Sequence, residues 1–106
     1  MLPKYLRISN KSDFYKIKKY GGSLNSPFFS LKYLKSTSPE LAVIVSKKIN
    51  NKASIRNRIK RKTKSLIITN SNLPSYKILI FPKPGILQIS HFLLIKEFQK
   101  LLDNLL

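Results

Sequence analysis

The chain has 106 residues, no cysteine, and a formal charge of +17 from 21 Lys and Arg against four acids. That length predicts one domain, and the composition excludes a disulfide framework, a thiolate metal site and any membrane span of ~18 apolar residues. Such self-repulsion is sustained when a polyanion neutralises it, which points to nucleic acid, with an anionic membrane surface as runner-up.

Residues 10–20 predict a short helix, capped by Asn10 or Ser12 and ended by Gly21-Gly22, with Phe14 and Ile17 as its apolar face. Residues 28–34 predict a strand, with Phe29, Leu31 and Tyr33 on one side and Phe28, Ser30, Lys32 and Leu34 on the other. A turn over 35–39 leads to a nearly unbroken apolar run at 41–45, the pattern of a central strand. Residues 54–68 predict a second helix and residues 76–81 a further strand, stopped by Pro82 and Pro84. A final helix is capped by Ser90, with Leu94, Phe98, Leu101 and Leu105 as its core stripe. A short extra strand is expected near Ser23 or Ile86. The order predicts an α+β fold in one domain, a two-layer sandwich of helices packed on a small sheet.

The middle helix carries the sharpest signal. Three of the chain's four arginines lie in Arg56-Asn57-Arg58-Ile59-Lys60-Arg61, although lysine supplies most of the positive charge. A guanidinium grips two phosphate oxygens at once and stacks on bases, whereas an ammonium is a mobile point charge. At about 100° per residue, Ile55, Ile59 and Leu66 fall within roughly 40° and form the expected buried stripe. Arg56, Lys60 and Lys64 then make an i, i+4, i+8 ridge, with Asn57 and Arg61 beside it and Arg58 and Lys62 at the far edge of the stripe. Like charges at this spacing repel, and no acid lies between residues 41 and 96 to offset them. Upstream, Lys47 and Lys48 end the apolar strand, and Asn50-Asn51-Lys52 connects it to the helix. The strand is expected to bring these lysines to the helix start, where free backbone N–H groups favour an anion.

Val45-Ser46-Lys47-Lys48, a short connector, and Arg56-Asn57-Arg58-Ile59-Lys60-Arg61 together resemble the signature of the bacterial ribonuclease P protein component. Weaker similarity covers nearly the whole chain, from Leu6 and Asp13-Phe14, Ile17 and Gly21 to the strand at 76–81 and the last helix. The resemblance implies a left-handed β-α-β crossover through the basic helix, against the general right-handed rule. It implies binding to a large catalytic RNA and removal of the 5′ leader of precursor tRNA by the complex. The RNA would carry the active site and hold most of the Mg²⁺. Arg56, Asn57, Arg58, Lys60 and Arg61 match the family's RNA-contacting motif, with Lys47, Lys48, Lys52, Lys62 and Lys64 as companions. Phe14 matches an aromatic lining the leader cleft, in which Lys18, Phe29, Lys32 and Tyr33 are also expected.

There are departures from the family's pattern. Lys18 and Lys32 stand where aromatics are common, Lys64 where many members carry Arg, and Ser65 where an acid or amide is frequent. A cleft with fewer rings and more lysines is expected to lean on phosphate charge rather than stacking. No catalytic set is visible in the protein itself. His91 is the one histidine, has no obvious acidic partner and reads as a neighbour of the helix cap. The scattered acids Asp13, Glu40, Glu97 and Asp103 do not predict a carboxylate metal site. The N-terminus lacks the apolar core of a signal peptide, so a cytoplasmic location is expected, with no obligate protein partner. The competing expectation is a small structural RNA-binding protein such as a ribosomal protein.

Overall fold

A computed structural model of the chain describes residues 7–8, 11–69 and 73–105. The elements run α1 (Lys11–Tyr20), β1 (Gly22–Asn25), β2 (Phe29–Lys35), β3 (Glu40–Val43), α2 (Ala53–Thr69), β4 (Tyr76–Pro82), a 3-10 turn (Pro84–Leu87) and α3 (His91–Asp103). The sheet order is β1-β2-β4-β3. β2 pairs antiparallel with β1 and β4, whereas β3 lies parallel to β4, so α2 is the crossover between two adjacent parallel strands.

Strand parity divides the molecule. Phe29, Leu31 and Tyr33 of β2 face the same way as Ile78 and Ile80 of β4 and Leu41 and Val43 of β3. That side carries the main core, where the sheet meets Ile59, Leu66 and Ile67 of α2 and Leu94, Phe98, Leu101 and Leu102 of α3. The Phe29 and Phe98 rings meet at 5.5 Å and 60°. On the reverse face, α1 lays Phe14 and Ile17 over Leu34, Ala42, Ile44 and Leu79. The body of sheet, α2 and α3 matches the predicted sandwich, and α1 adds a cover to the second face.

The short strand expected near Ser23 is β1, while Ile86 lies in the 3-10 turn that Pro84 favours by fixing its own φ. Ser90 caps α3 as expected, its hydroxyl accepting from the Leu93 N–H at 3.3 Å. Asn10 lies outside the described residues. Gly21 and Gly22 end α1 by a route other than a left-handed cap, since no described glycine has positive φ. The chain passes so close to β2 that a Cβ on Gly21 would strike the Tyr33 carbonyl and one on Gly22 would lie 2.6 Å from the Tyr33 ring.

One ion network fixes α1 to the sheet. The Lys77 ammonium lies 2.9 Å from Asp13 of α1 and 3.6 Å from Glu40 of β3. Its hydrogen bond to Asp13 raises the Lys77 pKa above the usual 10.5, against an opposing effect of burial and with further help from both acids' charges. A raised pKa contributes stability that is full below the unfolded value and is lost as pH rises through the folded one. The urea-stability difference between wild type and Lys77→Met is therefore expected to be constant up to about pH 9 and to shrink above about pH 10.5. A difference unchanged through that range would show that the network does not hold α1.

Candidate nucleic-acid interface

The segment between β3 and α2 is built to fix the start of the helix. The Lys52 N–H donates to Asn50 Oδ1 at 2.9 Å, closing a side-chain turn of the kind asparagine favours. Arg56 reaches back and donates from Nη1 to the Asn50 carbonyl at 3.0 Å. Lys47, Lys48 and Lys52 remain exposed around this connection. The first turn of α2 contains no acid, so its positive dipole end meets no compensating charge within the helix.

The buried side of α2 is wider than the predicted stripe. Ile59 and Leu66 are buried as expected, but Thr63 and Ile67 are buried with them, and Ile55 is only half-buried. Thr63 is accommodated because its hydroxyl donates to the Ile59 carbonyl at 2.9 Å, which leaves no unsatisfied polar atom. Ile67 pulls the buried arc towards Arg56 and Lys60. The Arg56–Lys60–Lys64 ridge, expected to be the centre of the cationic side, lies on its half-buried shoulder. Within the Arg56–Arg61 segment the exposed residues are Asn57, Arg58 and Arg61. Lys62 is half-buried and donates to the Ile89 carbonyl at 3.0 Å, which ties α2 to the segment before α3.

Further along the helix, Arg61, Lys64, Ser65, Ile68 and Thr69 line an open hollow of about 400 Å³. Two cations and two hydroxyl residues surround an exposed isoleucine, a combination suited to a phosphate and the sugar attached to it. Sequence reasoning missed Ile68 and Thr69; an isoleucine on the polar side of the wheel was the available signal.

The residues expected in a leader cleft fall on two faces. Phe14 is half-buried and packs against Ile17 and Leu79 while keeping part of its ring open, and Lys18 lies exposed beside it on α1. Lys32 projects on this same face, being paired with Leu79 across β2 and β4. Phe29 and Tyr33 do not join them, and this corrects the sequence expectation. Phe29 is 0% exposed in the main core on the opposite face. The half-buried Tyr33 ring faces the same side as Phe29 and meets Tyr76 edge-on at 5.7 Å. Successive strand residues point to opposite faces, so Lys32 and Tyr33 cannot line one cleft. The ring that does join Phe14 is Phe81, half-buried on the α1 side and paired with Ser30. It was legible from the parity of Lys77, Leu79 and Phe81.

Among the described residues no three His, Cys, Asp or Glu side chains converge, so they offer no cage of protein oxygens for a hard cation. His91 is exposed at the start of α3. No described helix is long and apolar enough to cross a membrane.

The sequence matches the family model described as Ribonuclease P over residues 2–106. It is 34% identical over 90 residues to the ribonuclease P protein component of Rickettsia bellii, covering 74% of this chain and 75% of that one. It is 31% identical to the component from Rickettsia prowazekii, covering 90% of each. The fold is similar to that of the RNase P protein from Thermotoga maritima, with a TM-score of 0.81 at 24% identity, covering 92% of this chain and 96% of that one. A structure of the RNase P protein from Staphylococcus aureus gives a TM-score of 0.68 at 27% identity, covering 92% of this chain and 85% of that one.

Proposed function

This chain belongs to the ribonuclease P protein component family, the protein part of the ribonucleoprotein endoribonuclease that removes tRNA leaders, and we propose that its α2 surface docks the catalytic RNA. The observation that carries this reading is the outward set Asn57, Arg58 and Arg61 on a helix with no acid in its first turn. Arg56, Lys60 and Lys64 flank it, Lys62 stands at its edge, and Lys47, Lys48 and Lys52 extend it around the helix start. Phosphate oxygens relieve the repulsion among these cations, and each one neutralised releases counterions, so binding should weaken steeply with salt.

The 5′ leader of precursor tRNA takes the other face of the sheet. Phe14 and Phe81 offer ring surface there, and Lys18 and Lys32 offer ammonium groups to phosphates, so charge contributes alongside stacking. Bond cleavage belongs to the RNA. Mg²⁺, the hard cation suited to phosphate oxygens, is held mainly by that RNA. The left-handed sense of β3–α2–β4 and a cytoplasmic location belong to the same reading.

The test is a processing assay at low Mg²⁺ with precursor tRNA, the host's ribonuclease P RNA, and this protein added or omitted. The protein is expected to restore correct 5′ cleavage while being inactive alone. Binding to the RNA without any change in cleavage would reduce α2 to a generic RNA anchor, as in a small structural RNA-binding protein.

A further inference from the structure

Tyr15 and Tyr20 are 60% and 67% exposed on α1, rings that contribute little burial to the fold. One ammonium serves both: Lys19 Nζ lies 5.4 Å from the centroid of the Tyr15 ring and 5.5 Å from that of Tyr20. It also donates to the Tyr15 hydroxyl at 3.1 Å. Lys11 and Lys16, both exposed, stand one helical turn before Tyr15 and Tyr20 respectively. The single acid of α1, Asp13, is engaged with Lys77 against the sheet and contributes no opposing charge here. Around the helix the sequence of side chains from the cleft outwards is Phe14, Lys18, Tyr15 and Lys19, at about 0°, 40°, 100° and 140°.

Exposed rings alternating with ammonium groups match the chemistry of an unpaired nucleic-acid strand, whose bases stack while its phosphates are neutralised. We propose that Tyr15, Lys19 and Tyr20 form a stacking platform for single-stranded RNA on the outward face of α1, which takes the leader nucleotides that lie beyond the Phe14–Lys18 edge of the cleft. The inference rests on the reading of that cleft as the leader site. α3 also carries an exposed ring under an ammonium, Phe92 beneath Lys96. Its neighbours there are the aliphatic Leu93 and Ile95, which offer no second ring for stacking.

The experiment compares affinities of the assembled ribonucleoprotein for precursor tRNAs with no leader, a leader of about 4 nucleotides and one of about 10, spanning typical single-strand site sizes. Wild type is expected to gain affinity at both steps. In Tyr15→Ala/Tyr20→Ala the second gain should fall by about tenfold, and Tyr15→Phe/Tyr20→Phe, which keeps the rings, should restore it. Quenching supplies a readout on the free protein. The chain has no Trp and five Tyr, of which Tyr33 and Tyr76 pack against each other. An oligouridylate should therefore quench tyrosine emission where an abasic strand of equal length does not. A second gain undiminished in the alanine variant overturns the platform and leaves the cleft reading intact. Absence of the first gain in wild type overturns both.

Discussion

Replacing Arg58 and Arg61 together by alanine should weaken binding to the ribonuclease P RNA by about 3 kcal/mol or more, each guanidinium supplying charge-assisted hydrogen bonds of ~1.5–3 kcal/mol. Both side chains are exposed, so folding stability should move by less than about 0.5 kcal/mol. It should rise if anything, because two like charges leave the helix. The slope of log affinity against log salt should flatten by roughly 0.7–0.9 for each phosphate that is no longer neutralised. Arg58→Lys keeps the charge but removes the fork, and should retain the salt slope while losing affinity. Arg56→Ala is different in kind. Its guanidinium also holds the Asn50 carbonyl, so that variant should lose both RNA affinity and about 1 kcal/mol of stability. Titrations at three salt concentrations, with urea melts of the same proteins, separate these outcomes. Wild-type affinity in the double variant, together with weakened binding in Lys96→Ala/Lys100→Ala, would move the interface to α3.

Phe29→Ala is expected to cost about 3–5 kcal/mol, a large share of the ~5–15 kcal/mol that holds a small domain together. The ring is fully buried where β2 meets α3, and truncation leaves a cavity facing Phe98 that a sheet strand cannot close by moving. Phe29→Leu keeps most of the volume and should cost less than about 1.5 kcal/mol. Neither change should alter the affinity of the folded protein for leader-bearing substrate. Urea melts give the first quantity, and binding measured well below the unfolding midpoint gives the second. A Phe29→Leu protein of normal stability but reduced leader affinity would mean that RNA reaches this ring, against its burial.

The sequence carried most of the element order and the faces of each strand. Alternation from Phe29 to Leu34 already separated Phe29 and Tyr33 from Lys32, so placing all three in one cleft overlooked parity rather than lacked it. Other features were beyond local reading. β4 inserts between β2 and β3, a non-local pairing, and this places Phe81 in the same cluster as Phe14 on the face that α1 covers. The rotation of α2 buries Thr63 beside Ile67, and the polar Thr63 is accommodated by bonding its own helix. The Lys62–Ile89 bond joins residues 27 apart, and nothing in a helical wheel distinguishes that lysine from its neighbours. The basic signature led to the family, while its most outward members were settled by packing on the other side of the helix.

All four acids are engaged within the protein. Asp13 and Glu40 meet Lys77, Glu97 meets Lys100, and Asp103 accepts from Gln99. With a formal charge of +17, the field around the protein has no broad negative region to turn an RNA away. Encounters are consequently fast and poorly oriented, and a wrong landing is not repelled. On the proposed α2 docking surface, discrimination then falls to dissociation: a pose that engages the Arg58 and Arg61 forks persists, while others slip off as counterions return. On that reading the protein is a quick, indiscriminate finder of RNA whose selectivity is written in residence time.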